Sequence, residues 1–354
     1  TQGSIHGTTG TPVHLRATSP GAVATLRAAS GIGSPTPLIV EVAQLDALTA
    51  TGQLQLEAQG DLHILQARAL AGAVTLQVNG SVTAAADSLE AGRDLPAELT
   101  ISARGDQDVS PFVSAIVLSP GDIVRLVAGE VLTIPTAGLN VADGTLELVG
   151  RTDIITPNGR ELGPLVAQVL VVESGSLGGG TTLNTTVERL SVDLSAAPSG
   201  TALLVQETGG LQIDRIITNA GDVQIEAATR QPGDLTIQHI DAGAADVLLS
   251  TVGQGGAILD GSAAELAVIA HRLTLLASTG IGLGHPLDLH VAELDALNTT
   301  SGEMHITAVG DIAILRAEQQ GAGGIELTSA GELRVVAPDL GSGVQTLTGS
   351  VKLM

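Results

Sequence analysis

Glycine sets the frame of this chain. Gly52, Gly60, Gly72, Gly80 and Gly92 follow one another at intervals of 8, 12, 8 and 12, a period of 20. Near the other end, Gly302, Gly310, Gly323, Gly331 and Gly343 are spaced 8, 13, 8 and 12. Between the glycines lie short runs of alternating apolar and polar residues: QLQLEAQ (53–59), AVTLQVN (73–79), DVQIEAA (222–228), DLTIQHI (234–240) and GIELTSA (324–330). A period of two places alternate side chains on opposite faces of a strand, so each run reads as a strand with one buried face. Glycine at each end permits a corner with positive φ. A fixed period of about 20 residues favours stacked coils over a sandwich or barrel. The expectation is an all-β chain, a right-handed parallel β-helix with coils of about 20–25 residues, continuous over residues 1–354. Leu54, Leu56, Leu76, Val78, Met304 and Ile306 should point inward, with Gln53 and Gln55 outward. Helical spacing is scarce; Ala263 to His271 is expected to form one or two helical turns at most.

A longer repeat is superimposed on this period. Gly31, Ile32, Gly33, Pro37, Leu38, Val40, Val42 and Leu45 recur as Gly280, Ile281, Gly282, Pro286, Leu287, Leu289, Val291 and Leu294. After one inserted residue, Leu54, Leu56, Gly60 and Asp61 recur as Met304, Ile306, Gly310 and Asp311. A middle copy places Leu183, Val187 and Leu190 where Leu38, Val42 and Leu45 stand in the first. The copies lie near residues 23–65, 170–213 and 273–315. Apolar and glycine positions recur while the residues between them change: His63 becomes Ala313, and Thr36 becomes His285. That is the pattern of a repeated scaffold with a variable outer face.

Composition agrees with layers. The chain has no Cys, Trp or Tyr and a single Phe, Phe112. A core of this size normally relies on aromatic side chains, each burying a large area. Here Val, Leu, Ile and Ala must fill it, which suits a core that repeats coil after coil. At 44% hydrophobic and 15% charged residues, the chain is too apolar for disorder. Its most apolar stretch, Pro164 to Val172, is too short to span a membrane. A net charge of −22 repels phosphate backbones and anionic lipid, so neither nucleic acid nor membrane insertion is expected.

The cadence carried by GQLQLEAQGDLHIL, GEMHITAVGDIAIL, GDVQIEAA and GDLTIQHI resembles large exported bacterial surface proteins. These are filamentous-haemagglutinin-like adhesins, autotransporter passenger domains and giant repeat adhesins. The resemblance covers most of the chain and implies a parallel β-helix, secretion, and an adhesive or fibre-forming role. It transfers no functional residues.

Candidate sites are few. No zinc spacing, HExxH, EF-hand, GxSxG, P-loop or dinucleotide fingerprint occurs. Calcium is the one metal ion left open: Asp106 and Asp108 in RGDQDVSP could hold a hard cation at a corner, as could Asp87, Glu90 and Asp94. Arg104, Gly105 and Asp106 form a tripeptide read by some adhesion receptors, although three residues recur by chance. His285 and His290 flank Asp288, the one local ligand-like cluster; alternation puts Asp288 and His290 on a solvated face. Solenoid enzymes that act on sugars need converging carboxylates and basic residues, whereas here Asp and Glu fall about one per coil.

The expected function is a structural segment of a long extracellular or cell-surface bacterial adhesin or fibre, without catalysis or organic cofactor. The alternative is a β-helix enzyme or binding module acting on acidic polysaccharide. Thr1 is not a translation start, and neither end carries a capping signal. Expected partners are therefore neighbouring segments of a longer chain or end-to-end copies, together with host or cell-surface ligands. With coils of the expected length rising about 4.8 Å each, the stack should measure roughly 65–85 Å. Small-angle scattering checks this, and a near-spherical envelope would refute the solenoid.

Overall fold

The structure is a computed structural model. It describes residues 3–10, 12–17, 19, 21–85, 88–92, 97–109, 121–141, 143–157, 162–177, 182–262, 266–336 and 343–354. The chain is all-β, a β-solenoid of about 14 turns, with parallel strand pairing and no helix among the described residues. It forms two compact units, Thr1–Gly179 and Gly180–Met354.

In the first unit, Leu54–Ala58, Val74–Val78, Glu98–Ala103, Ile123–Ala128 and Thr145–Gly150 stack in parallel. Leu56 lies on Leu76, Leu76 on Ile101, Ile101 on Leu126 and Leu126 on Leu148, each one turn beyond the last. A second face stacks Gln44–Thr49, Leu62–Ala69, Val82–Ala84, Gln107–Asp108, Val131–Thr133 and Asp153–Ile155. In the second unit one column runs Leu211, Leu235, Ile258, Ile281, Met304, Ile325 and Val351, again one residue per turn. The alternating runs therefore bury the expected phase. Leu54, Leu56, Leu76, Val78, Met304 and Ile306 are at most 4% exposed, while Gln53 and Gln55 face outward.

Several strands continue through a corner, where two successive residues face out and the buried phase slips by one. Val268–Ala277 buries Val268 and Ala270, then Leu273, Leu275 and Ala277, with His271 and Arg272 outside. This corrects the helical expectation. Of that segment, Val268 to His271 belong to the strand and Leu266 and Ala267 precede it without helix; residues 263–265 lie outside the described residues. A second irregularity recurs at corresponding places. The register gains one residue at Leu65, at Asp214 and at Leu315, opposite the steps Leu45/Asp46, Leu190/Ser191 and Leu294/Asp295. Each is a β-bulge, which adds local twist without breaking the stack.

Two glycines in the repeated motif are sterically compulsory. Gly33 and Gly282 have φ of 73° and 65°. A β-carbon on either would lie 1.7 Å from the Gln55 carbonyl oxygen or 2.1 Å from that of His305, one turn on.

All six Gly-Asp dipeptides act alike. The Asp61, Asp106 and Asp311 carboxylates accept the backbone N–H of Ser81, Val131 and Glu332 at 2.9, 3.1 and 2.7 Å. Those of Asp122, Asp222 and Asp234 accept from Ala97, Asp246 and Ala257 at 2.6, 3.1 and 2.8 Å. Each bond joins consecutive turns at a corner and adds to the backbone hydrogen bonds that run there, such as Gly105 N–H to the Gly80 carbonyl at 3.2 Å. At Gly221 and Gly233 the glycine also brings the backbones close, since a β-carbon there would lie 1.8 Å from the Thr201 carbonyl oxygen or 2.2 Å from the Gly210 nitrogen; Gly60 has no such neighbour.

The aliphatic interior of the first unit is interrupted at Gln107. Gln107 sits in register between Val82 and Leu132, fully buried, and neither amide atom has a hydrogen-bond partner among the described residues. An unsatisfied buried amide costs about 1–3 kcal/mol. Gln107→Leu should therefore raise the urea midpoint of unfolding, while Leu76→Ala, which opens a cavity in the same unit, should cost about 2–5 kcal/mol. Equal destabilisation by both substitutions would contradict this packing.

Candidate functional site

The corner candidates for calcium are engaged in structure. Asp106 is exposed, but one of its oxygens holds the Val131 N–H. Asp108 lies on the short strand Gln107–Asp108, between Thr83 and Thr133. Glu90 is 3% exposed and faces Arg68 at 3.7 Å; Asp87 and Asp94 lie outside the described residues. Among the described residues, no three His, Asp or Glu side chains converge as a metal site. The Arg104-Gly105-Asp106 tripeptide forms one of the inter-turn corners, with its aspartate occupied in that bond.

Asp288 and His290 do face outward from Leu287–Asn298, and His285 lies exposed before it. The neighbour of Asp288 is a carboxylate that the sequence did not place there. Asp260 accepts the Asp288 N–H at 3.1 Å and those of Ser262, backbone and hydroxyl, at 2.6 Å. Burial, together with the Asp260 charge, pushes the Asp288 carboxyl above its ordinary range.

Most basic side chains bridge turns. Arg125 reaches Glu98 at 3.1 Å and Glu147 at 2.6 Å, spanning three turns. Arg27–Asp46, Arg189–Asp214, Arg272–Glu293 and Arg316–Asp295 are similar, at 2.5–2.8 Å. Exposed pairs of this kind contribute about 0–1 kcal/mol each. Their more evident consequence is that they leave few cations for a ligand.

A concave track lies in the second unit. A groove of about 290 Å³ is lined by Gly243, Ala244, Ile269, His271, His290 and Asp311, among others. It adjoins a second, of about 240 Å³, which shares Ala292 and Asp311 and adds Glu332 and Arg334. Corners create it: successive turns present small residues at the bend and polar ones at its margins. The imidazole of His290 lies beside Gly310, 3.8 Å from the position of a β-carbon there. Sequence reasoning had only Asp288 and His290 from this region. His271 and Arg334 belong to other turns, and only stacking brings them alongside.

Sequence reasoning also missed a polar column inside the second unit. Thr185 pairs with Glu207, Ala277 with Asn298, Asn298 with Gln319, and Gln319 with Thr346. Several cap a corner: Asn298 donates to the Ser301 carbonyl at 2.7 Å, Thr251 to that of Gly256 at 2.8 Å and Thr346 to that of Gly323 at 2.8 Å. The signal was present, as a polar residue in the inward phase at a strand's end; Leu203, Val205 and Glu207 show it. Glu207 is 1% exposed and accepts the Val187 and Gly209 N–H groups at 3.0 and 3.1 Å. Burial pushes its carboxyl above the ordinary range, against the pull of these hydrogen bonds.

A scan against protein-family models finds no match, and neither the curated proteins nor the solved structures yield one.

The raised Glu207 carboxyl gives a pH dependence with a definite sign. Because the folded state holds this proton more tightly than the unfolded state, its contribution is complete below the unfolded value, about 4.3. It is lost as pH rises through the raised folded value. Urea titrations from pH 4 to 7.5 should show wild type losing stability relative to Glu207→Gln over that window. A difference that stays constant with pH would exclude the assignment.

Proposed function

We propose that this chain is a structural segment of an extracellular bacterial surface protein, serving adhesion or fibre formation rather than catalysis. The observation that carries the proposal is the destination of the polar side chains. All six Gly-Asp carboxylates, and most of the described arginines, bind the turn above or below. Such a chain uses its polar groups to resist separation along the stack, which is the property a scaffold under tension needs. The cadence shared with exported bacterial adhesins supports the surface location. Self-association belongs to the proposal. Leu333–Val335, Val344–Thr346 and Val351–Leu353 each pair on one side alone among the described strands. Beside them Val335, Leu347, Val351 and Leu353 are 42–73% exposed. A row of open backbone groups with apolar side chains is a template for another turn of like geometry, supplied by a neighbouring segment of a longer chain or by a second copy.

The test combines imaging with location. Purified chain at rising concentration should form end-to-end assemblies visible by negative-stain microscopy, and antibodies to it should label intact source cells. Label confined to permeabilised cells would overturn the surface assignment. Release of new reducing ends from polysaccharides would overturn the non-catalytic one, and a monomer at every concentration would remove self-association.

A further inference from the structure

We propose that the groove of the second unit is a binding site for an extended, uncharged polysaccharide. Its margin passes over five successive levels of the stack, from Gly243 through Ile269–His271, His290–Ala292 and Asp311–Ala313 to Glu332–Arg334. Four steps of about 4.8 Å give a track of roughly 19 Å. That suits a linear chain lying along the stack better than a compact ligand.

The lining fits sugar chemistry. Ala244, Ala292 and Ala313 give a floor of small apolar groups on which the C–H faces of a pyranose can rest. The margins carry His271, His290, Glu332 and Arg334, whose side chains form no hydrogen bond or ion pair with the described residues, and Asp311, which has committed one oxygen to the Glu332 N–H. Most other described cationic side chains are paired with a carboxylate; Arg334, like Arg104, Arg151 and Arg230, makes no ion pair with a described residue, and of these four it alone lines the groove. Neutral imidazole both donates and accepts, carboxylates accept, and guanidinium donates. Hydroxyl groups, which do both, satisfy this mixture.

Charge selects among polysaccharides. Asp311 and Glu332 outweigh Arg334 within the groove, and the whole chain carries −22. A polyanion meets repulsion both locally and at long range. A peptide is the other extended candidate, but Val268–Ala277, Leu287–Asn298 and Ile312–Gln319 are paired on both sides, which leaves an edge for strand addition only at Leu333–Val335, the last level of the track. This inference goes beyond the structural role: a scaffold segment needs no such groove, and the groove could bind sugar whether or not the chain forms fibres.

Isothermal titration with cellohexaose, maltohexaose, chitohexaose and hexagalacturonate tests it. At least one neutral hexaose should bind, with hexagalacturonate at least about tenfold weaker. Arg334→Ala should weaken binding by about tenfold or more, the loss of a charge-assisted hydrogen bond. Ala292→Leu, at an exposed position on the floor, should abolish it while thermal unfolding stays as in wild type. Arg104→Ala, in the first unit, should bind like wild type and so exclude a general charge effect. The proposal is overturned if no neutral hexaose binds, if hexagalacturonate binds equally well, or if both groove variants retain full affinity.

Discussion

Each turn of this protein is held in place by the turn beneath it, side chain upon like side chain. Leu56, Leu76, Ile101, Leu126 and Leu148 form one such column, Ile258, Ile281, Met304 and Ile325 another. In a parallel stack the residue above must occupy the same depth and nearly the same volume as the one below. That requirement fits the scarcity of aromatics, Phe112 being the single one: a large ring would need a complementary gap in both neighbouring turns. It also accounts for turn lengths that vary through the corners and loops while the strand registers hold.

Corners are the places where this arrangement is exposed to failure. Strand direction changes there, and although backbone hydrogen bonds between turns persist at several corners, as from Gly105 to Gly80, the regular ladder is interrupted. The chain answers from both sides. From outside, Gly-Asp pairs send a carboxylate to a backbone N–H of the adjoining turn. From inside, a threonine, serine or asparagine at the strand's end donates to a corner carbonyl, as Thr218 does to Gly221 at 2.7 Å. Glu207 and Gln107 are less comfortable members of the interior, one a buried acid and the other a buried amide without partners among the described residues. In a structure stabilised mainly by nearest-neighbour turns, such residues weaken their own turn more than distant ones.

The groove is a by-product of the same corners. Where the bend is made of glycine and alanine over several turns, it leaves a shallow track; where outward residues differ from copy to copy, the track acquires chemistry. His63 in one copy and Ala313 in another occupy equivalent scaffold positions. A repeated frame therefore permits a binding surface in one place without requiring it in the others, and the aliphatic columns beneath are undisturbed.

Alternation, glycine spacing and the recurrence of Gly31, Ile32 and Gly33 as Gly280, Ile281 and Gly282 made the solenoid, its strand phase and its inward residues legible. These features are local: a strand's two faces and a glycine's allowed φ are decided within a short stretch of chain, so they leave a mark in the sequence. The helical reading near Ala263 to His271 failed because Val268 to His271 begin a strand, and an apolar run that short does not distinguish a strand from a helical turn. The Gly-Asp clamp was visible as a dipeptide, yet its partner, a whole turn away along the chain, was not. The same holds for the site. Asp288 and His290 could be paired from alternation, but Asp260 beside Asp288, and His271, Asp311 and Arg334 around the groove, come from separate turns. Their proximity depends on which residue lies above which, and that register is fixed by the summed fit of many aliphatic columns. The sequence alone determined the kind of stack and what faces inward; only the tertiary structure decided which outward side chains meet, because contact between turns is set by register accumulated over the whole column.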